Sequence, residues 1–327
     1  MIKLNTLQYP IVKDINISKE FALNILKNND EYLKLEYELL KSLGFKSLKT
    51  FSFSKDGFLS LLCNLGLKGK IAISVGETNA LFEAGKAYEA LGFEISWITL
   101  NKEGIVDIES IKSLNVDFIF ISSYVMDTYI KTNLEDIKKL TNATIISNGT
   151  FELSLFSDLV YFDPFKLNGF NTSGVIVHNE FFEEQAIGYK DSIAVFLLKK
   201  ALENQGFESN LKDIFKSLLI DTFGDDIYFF VDSKNTLKYS LHFGLKSIKA
   251  RELIRTLALD EILITNGEGC SLGLSKPSRI IQAMGYDEDI SRNAISLSFC
   301  EKLTDMEIKN IVQLMFKRYK QIKVLNA

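Results

Sequence analysis

Cys270 is the first residue whose setting suits covalent chemistry. It lies in the glycine-rich loop Gly267–Gly273, which follows the apolar run Ile262–Ile264 and precedes a short helix signal with Ser275 as the expected N-cap. A thiol on such a loop can move to a substrate and act as a nucleophile in its thiolate form. The alternative is a small buried residue in a tight turn, because an unpaired cysteine often packs in the core.

Lys166 is the second candidate. It lies on a glycine-containing turn between the apolar segments Leu159–Phe162 and Gly174–His178, both of which are predicted strands. A lysine that points into a site at such a turn can lose its hydration, react as a neutral amine and form a Schiff base with a carbonyl group. A solvated loop lysine is the alternative.

Several common catalytic motifs do not occur in the sequence. The glycines of Gly267–Gly273 lack the dinucleotide-binding spacing, and there is neither a P-loop nor a nucleophile elbow. His178 and His242 both fall within predicted strands, so no local signature supports a Cys–His pair. The three cysteines have no paired spacing, which argues against a disulfide framework and against a metal site. Cys63, on the apolar side of a predicted helix, is expected in the core.

Composition and charge narrow the possible partners. Hydrophobic residues make up 46% and charged residues 24% of the chain, and the formal net charge is −4. This balance gives no general attraction to nucleic acid or to an acidic membrane surface. No apolar run approaches ~20 residues, and the N-terminus lacks a basic-then-apolar signal. We therefore expect a cytoplasmic protein that binds neither nucleic acid nor membrane.

The elements around the two candidates predict an α/β architecture. Short apolar strands alternate with helices from residue 70 to residue 178, a pattern typical of a mainly parallel sheet covered on both faces. After residue 205 the strands and helices change to an α+β pattern. We predict a large domain at 14–205 and a small domain at 206–327, which also takes the arm 1–13. With only three prolines and no flexible linker, the two are expected to be closely joined.

The two candidate segments together resemble one family, the cysteine desulfurases of the class V aminotransferase group. Lys166 precedes Gly169 and the strand Gly174–Val177, as the family's lysine precedes a glycine-rich strand start. The segment Thr265–Gly273, followed by Pro277-Ser278, is similar to the family's Ser-Gly-Ser-Ala-Cys-Ser-Ser-Gly loop and its Pro-Ser helix. The resemblance extends over nearly the whole chain.

This resemblance implies a fold, a cofactor and roles for residues. The fold is fold type I of pyridoxal 5′-phosphate (PLP) proteins. Lys166 is implied as the Schiff-base lysine and Cys270 as the sulfur-accepting, persulfide-forming cysteine. The family builds its site across a homodimer interface. A small amino-acid substrate or a sulfur-acceptor protein is the implied partner.

The chain also departs from the family at the cofactor shell. The family's ring-stacking His corresponds to Thr78, and the Asp on the pyridine nitrogen corresponds to Asn148. The phosphate-binding Gly-Ala-Thr turn corresponds to a segment that contains Ser54 and Lys55, and Lys55 is the cation expected near the phosphate. These changes keep a second function open. In it, the chain is a catalytically degenerate paralogue that binds a partner or relays sulfur without PLP chemistry.

Overall fold

A computed structural model describes residues 1–10, 16, 30–179, 181–182, 190–208, 210–270 and 276–326. Within these residues the helices alternate with strands through the first half of the chain. The helices are α1 (Asp30–Leu43), α2 (Lys55–Gly66), α3 (Asn79–Ala90), α4 (Ile108–Lys112), α5 (Leu134–Leu140), α6 (Pro164–Asn168), α7 (Ser192–Asn204), α8 (Leu211–Phe223), α9 (Ala250–Leu259), α10 (Arg279–Ala283), α11 (Glu288–Ser291) and α12 (Asp305–Leu325). The strands are β1 (Ile2–Lys3), β2 (Ser47–Phe51), β3 (Ile71–Ser74), β4 (Ile95–Ile98), β5 (Phe118–Phe120), β6 (Thr144–Asn148), β7 (Leu159–Phe162), β8 (Gly174–His178), β9 (Ile227–Tyr228), β10 (Ser240–Leu245), β11 (Ile262–Leu263) and β12 (Ala294–Ser298).

The largest sheet has seven strands in the order β2-β8-β7-β6-β5-β3-β4. Neighbours from β7 to β4 run parallel, whereas β8 is antiparallel to both β7 and β2. Every residue of β3, β5, β7 and β8 is buried, as expected for strands covered on both faces. The predicted α/β fold with a mainly parallel sheet is therefore confirmed.

The C-terminal part of the chain forms a smaller antiparallel sheet, β12-β10-β9. Helices α8, α9 and α12 pack on it around a second apolar cluster that includes Phe215, Phe243 and Met315. The N-terminal strand β1 pairs in parallel with β11, and Leu4 belongs to the same cluster. The two-domain boundary near residue 205 remains a prediction.

The ends of the parallel strands position the polar residues of interest. The carboxyl ends of parallel strands meet at one edge of a sheet, where α/β proteins place their ligands. Here β6 ends at Asn148, β7 leads through Asp163 into α6 with Lys166, and β3 leads through Glu77 into α3. Residues distant in sequence therefore converge at this edge.

Some predicted boundaries are wrong by several residues. The sequence pattern of Thr50–Ser54 predicts a strand there, but β2 lies at Ser47–Phe51, because Ser54 is the N-cap of α2 and accepts a hydrogen bond from the Gly57 amide. The glycine-rich loop Gly267–Gly273 that carries Cys270 is the cysteine loop. The helix that follows it begins at Arg279, and the Ser278 side chain caps this helix by accepting from Ile281 N. Ser275, its predicted cap, and residues 20–29 of a predicted N-terminal helix lie outside the described residues.

Candidate active site

Lys166 is a buried lysine on a short helix whose entry and exit are both specified locally. The Asp163 carboxylate caps α6 by accepting from the Lys166 amide, and Gly169 ends the helix in the left-handed conformation with a φ of 80°. The Lys166 side chain is only 10% exposed. Its Nζ donates to Glu268 Oε1 at 2.6 Å, which forms an ion pair across 102 positions of sequence.

Within the described part of the chain, three donors form a cradle around the Glu268 carboxylate. Besides Lys166 Nζ, Oε1 accepts from Thr78 Oγ1 at 2.8 Å, and Oε2 accepts from the Asn79 amide at 2.7 Å. Asn79 is the first residue of the twelve-residue helix α3, so the carboxylate also lies at the positive end of a helix dipole. This is the arrangement of a bound anion, and the anion is a side chain of the protein itself.

Asp127 fastens the turn that carries Glu268. Its Oδ1 accepts from the Glu268 main-chain amide and its Oδ2 from Ser278 Oγ, both at 2.7 Å. One carboxylate therefore binds residues on both sides of Cys270. Asp127 has a φ of 60°, and Gly267 has a φ of 103°. A Cβ on Gly267 would lie 2.1 Å from Asp127 Oδ1, so a glycine is required there for both conformation and contact.

The charges in this region shift one another's ionisation. Burial alone would lower the pKa of Lys166, but attraction to Glu268 and Asp163 outweighs it and raises that pKa. Burial acts to raise the pKa of Glu268, and the nearby Lys166 ammonium overcomes it, so the pKa of Glu268 is lowered. Lys166 and Glu268 are therefore both charged near neutral pH. Burial raises the pKa of Asp127, and repulsion by Glu268 adds to that rise.

Glu77 is the centre of a buried hydrogen-bond network beside this ion pair. Its Oε1 accepts from Ser122 Oγ at 2.7 Å and its Oε2 from Tyr161 Oη at 2.5 Å. Ser122 Oγ in turn accepts from the main-chain amide of Asn148 at 2.9 Å. Burial raises the pKa of Glu77 to about 7, which is only partly opposed by the two hydroxyl donors.

Arg279, the first residue of α10, is a second buried cation at the site. Its guanidinium donates to Val75 O at 2.5 Å and also to Glu77 O, and it lies 4.3 Å from the centroid of the Phe82 ring. These bonds fasten α10 to the segment between β3 and α3. Burial lowers the pKa of Arg279, while attraction to Glu268 and Asp127 opposes that shift.

The structure brings some of the sequence-predicted residues together. Thr78 and Lys166 share the Glu268 carboxylate, and Asn148 is joined to Glu77 through Ser122. The Asn148 amide oxygen accepts from the Thr150 amide at 3.0 Å. The NH₂ group of that side chain, a donor, is not used in this bond.

Ser54, Lys55 and Cys270 have different surroundings. Ser54 is taken up in capping α2, and Lys55 Nζ lies 3.6 Å from the carboxylate of its neighbour Asp56. The Lys55 side chain is 55% exposed. The backbone of Cys270 lies in a single 3₁₀ turn, Glu268–Cys270, two residues beyond the carboxylate that binds Lys166. Cys63, expected in the core, is partly buried and packs against the cluster beneath α2 and α3.

The two histidines are held in the core. His178 Nδ1 accepts from the Phe181 amide at 3.0 Å, and burial with nearby lysines lowers its pKa to about 4. His242 is buried beside Phe230, and burial lowers its pKa to about 3. Both are neutral near pH 7. Neither contacts Lys166 or Glu268 through any hydrogen bond formed within the described residues.

A cavity of about 390 Å³ lies beside α6. Lys166, Asn168, Lys200, Gln205 and Cys300 contribute to its wall. Its lining does not include Thr78, Asn148, Ser54 or Lys55, so the cavity does not coincide with the predicted cofactor shell.

Three residues of the site were missed from the sequence: Glu268, Asp127 and Arg279. Glu268 was visible only as a polar residue of the glycine loop, because its partner Lys166 lies far away in the chain. One signal was available. A charged residue placed between Gly267 and Gly269 next to a candidate nucleophile is a candidate for electrostatic control of a site.

The fold is that of NifS-like proteins. A solved structure described as a NifS-like protein matches with a TM-score of 0.77 and 16% identity, covering 98% of this chain and 99% of that chain. The NifS-like protein from Rickettsia africae ESF-5 matches with a TM-score of 0.74 and 17% identity, with the same coverage. SspA in complex with cysteine matches with a TM-score of 0.71 and 13% identity, covering 93% of this chain and 100% of that chain. These likenesses confirm the predicted PLP fold type I.

The sequence relatives are cysteine desulfurases. Cysteine desulfurase IscS of Buchnera aphidicola subsp. Schizaphis graminum (strain Sg) is 22% identical over 312 residues, covering 80% of this chain and 76% of the relative. Cysteine desulfurase IscS of Pseudomonas putida (strain W619) is 21% identical over 297 residues, covering 79% and 72%. No family model matches the chain. The resemblance to cysteine desulfurases, as a divergent relative, is thus confirmed.

Two further observations bear on ligands and location. Within the described residues, no group of three or more His, Cys, Asp and Glu side chains is arranged to hold a metal ion. None of the helices that the structure describes combines the length and apolar character needed to cross a bilayer.

Proposed function

We propose that this protein is a PLP-dependent protein of the cysteine-desulfurase type, in which Lys166 holds the cofactor and Cys270 accepts sulfur. The Lys166–Glu268 contact is the observation that carries the proposal, because it joins the turn bearing Cys270 directly to the buried lysine. This contact supports the assignment of the two segments, identified separately in the sequence, to one site. The likeness to cysteine desulfurases supports PLP as the cofactor that the motifs predicted.

The residues present fit a pyridoxal group at its aldehyde end. Lys166 supplies a buried amine, Thr78 lies beside it, and Asn148 offers an amide donor for the ring nitrogen. PLP, when bound, supplies an electron sink. A donor such as the Asn148 NH₂ group favours an unprotonated ring nitrogen, whereas an anionic Asp favours the protonated form and contributes roughly 1.5–3 kcal/mol as a charged hydrogen-bond partner. We therefore propose a slower enzyme than a desulfurase with an Asp at this position.

The phosphate end has a weaker set of donors. The N-terminus of α2 follows Ser54, whose hydroxyl already accepts from Gly57 N, and Asp56 adds a negative charge to the first turn. Lys55 is the nearby cation in sequence, and in the proposed complex it leaves Asp56 to bind the phosphate. An exposed pair of this kind contributes little stability, so this exchange costs little.

The substrate, assembly and location follow from the same proposal. We propose a small amino-acid substrate and a sulfur-acceptor protein, since the relatives are named as cysteine desulfurases and one solved neighbour is a complex with cysteine. We also propose a homodimer and a cytoplasmic location.

A second candidate function is a degenerate paralogue that binds a partner or relays sulfur without PLP. The paired state of Lys166 favours it, because an ammonium in an ion pair has no free lone pair for a carbonyl carbon. The neutral Asn148 and the Thr78 hydroxyl, in place of the family's Asp and His, favour it as well.

Cofactor binding separates the two functions. Purified wild-type protein incubated with PLP is expected to develop the yellow colour of the lysine–PLP adduct, and borohydride is expected to fix pyridoxyl on the peptide that contains Lys166. Lys166→Ala is the matched control and should show neither. Peptide mass spectrometry gives the readout. Protein that stays colourless and takes up no pyridoxyl contradicts the enzyme function and leaves the degenerate paralogue.

If PLP binds, the thiol is tested next. Wild type and Cys270→Ala are compared for sulfide release from cysteine in the presence of a reductant. Sulfide release is expected to fall to the background rate in Cys270→Ala while PLP binding is retained. Equal rates would remove Cys270 from the proposed chemistry.

A further inference from the structure

The side chain of Glu268 occupies an anion site formed by other parts of the chain. The site consists of an ammonium from α6, a hydroxyl from Thr78 and a main-chain amide at the N-terminus of α3, all within 2.8 Å of the carboxylate oxygens. The Glu268 side chain is only 13% exposed. A buried carboxylate is costly unless donors satisfy its oxygens, and here both oxygens accept hydrogen bonds. Because the donors include an ammonium ion, the site favours a negatively charged group.

The position of Glu268 ties this anion site to the cysteine loop. Its amide is held by Asp127, and Asn266 Nδ2 donates to Lys276 O at 3.3 Å across the base of the same loop. Glu268 is also the first residue of the 3₁₀ turn that ends at Cys270. The side chain that pairs with Lys166 therefore belongs to the same turn as Cys270.

We propose that Glu268 is a self-inhibitory carboxylate, an internal anion that holds Lys166 as an ammonium ion and keeps the 3₁₀ turn Glu268–Cys270 against it. A carbonyl ligand reaches the lysine only when Glu268 leaves the cradle and the ammonium gives up its proton. Glu268 itself, or water, accepts that proton. The two donors that remain in the vacated cradle, Thr78 Oγ1 and the Asn79 amide, can then bind a carboxylate of the ligand, so Glu268 also acts as a stand-in for the acidic group of a small carboxylic acid.

Four other charged groups lie near the pair and influence the pKa of its members. They are Asp163 at the start of α6, Asp127 in the segment after β5, Glu77 before α3, and Arg279 at the start of α10. Removing the Glu268 charge leaves Asp163 and Asp127 to attract the ammonium and burial to oppose it. The pKa of Lys166 is therefore expected to fall, with no new cation introduced.

The test measures the reactivity of Lys166 without PLP. Wild type, Glu268→Ala and Glu268→Gln are treated with formaldehyde and cyanoborohydride across a range of pH, and methylation of the Lys166 peptide is followed by mass spectrometry. Each unit by which the pKa falls raises the neutral amine about tenfold at a fixed pH below the pKa. We expect Lys166 to be methylated at least about tenfold faster in both variants than in wild type.

Chemical rescue distinguishes an anion site from general loosening. Acetate added to Glu268→Ala is expected to refill the cradle and return Lys166 toward the slow wild-type rate, whereas chloride at equal ionic strength should have less effect. Glu94→Ala, a change at an exposed glutamate, is the matched control and should behave as wild type. Equal methylation in wild type and both Glu268 variants overturns the proposal. Faster methylation that acetate does not slow also overturns it.

The expected effect of Glu268 on PLP uptake rests on the proposed function and is measured in a separate experiment. Glu268→Gln is expected to take up PLP faster than wild type. If methylation of Lys166 rises but no protein takes up PLP, the internal anion stands and the proposed function fails. If PLP enters wild type and Glu268→Gln at the same rate and methylation does not change, the proposed function stands and the internal anion is wrong.

Discussion

At the scale of single residues, the site is dominated by buried charge. Four carboxyl groups, of Glu77, Asp127, Asp163 and Glu268, lie close to the two cations Lys166 and Arg279. Full ionisation of all six would leave a surplus of negative charge in a region of low dielectric, which is costly. The raised pKa values of Glu77, Asp127 and Asp163 reduce this surplus by keeping protons on the site longer as pH rises.

Glu77 gives a pH dependence that can be measured. Its pKa is 4.5 in ordinary surroundings and about 7 in the folded protein, mainly because of burial. Between these values the folded state holds a proton that the unfolded state has lost, so stability falls as pH rises toward 7. The shift corresponds to on the order of 3 kcal/mol. Glu77→Gln removes the titration but keeps a side chain of the same shape.

The measurement is urea unfolding of wild type and Glu77→Gln at about pH 5 and about pH 8. We expect the stability of Glu77→Gln relative to wild type to increase by a few kcal/mol from the lower to the higher pH. Subtracting the two proteins cancels the other titrations. An unchanged difference between them would mean that Glu77 is charged at both pH values.

At the scale of elements, the cysteine loop depends on one carboxylate and one glycine. Asp127 binds the Glu268 amide and Ser278 Oγ, while Gly267 leaves room for it. Asp127 therefore holds the start of the cysteine loop at Glu268. Beyond the loop, Ser278 and Arg279 hold the beginning of α10. This arrangement fixes the distance between the two ends of the loop.

Gly267→Ala tests this arrangement against a matched glycine. Gly267 and Gly92 both have positive φ, 103° and 92°, but a Cβ at Gly92 meets nothing within 4 Å. The conformational cost of alanine at such a φ is about 1–2 kcal/mol at either position. At Gly267 the contact with Asp127 adds overpacking of about 1–3 kcal/mol or breaks the Asp127 hydrogen bonds. Denaturant unfolding should show Gly267→Ala to be the less stable variant, and equal losses would contradict the role of Asp127.

Much of the framework could be predicted from sequence because it depends on local patterns. The mainly apolar runs of β3, β5 and β7 and their alternation with helices predict a parallel sheet covered on both faces. Glu268 could not be predicted in the same way. Its environment depends on Lys166, Thr78 and Asn79, and a charge in a glycine loop has no local property that reveals such partners. Asp127 is similar, because it adopts a positive φ without being a glycine.

At the scale of the whole molecule, the N-terminal arm joins two apolar clusters. Leu4 is 1% exposed in the cluster beneath α8, α9 and α12, and Leu7 is 1% exposed in the cluster beneath the large sheet. Hydrogen bonds accompany this packing. Leu7 N donates to Ser298 Oγ, and Gln8 Nε2 donates to Tyr129 Oη, both at 3.0 Å. Leu4 and Leu7 are three positions apart in the arm and pack in different clusters. The arm therefore links the two clusters.

Leu4→Ala and Leu7→Ala are expected to destabilise the protein by about 2–5 kcal/mol each, the usual cost of emptying a buried leucine site. Leu67→Ala makes the same chemical change at a side chain that is 89% exposed, and it should cost little. Thermal and urea unfolding give the comparison. Losses as small as that of Leu67→Ala would show that the arm does not hold the clusters together.

The pairing of β1 with β11 has a consequence for biosynthesis. Ile2 lies opposite Ile262, so β1 leaves the ribosome long before its partner strand, which lies 260 positions later in the chain. At typical elongation rates of roughly 5–20 residues per second, the arm waits for tens of seconds before that partner is translated. During this interval β1 has no partner strand, and Leu4 lacks the cluster residues that follow position 262. The nascent chain thus presents an apolar N-terminal segment that chaperones can bind, and the native arm is completed only late in translation.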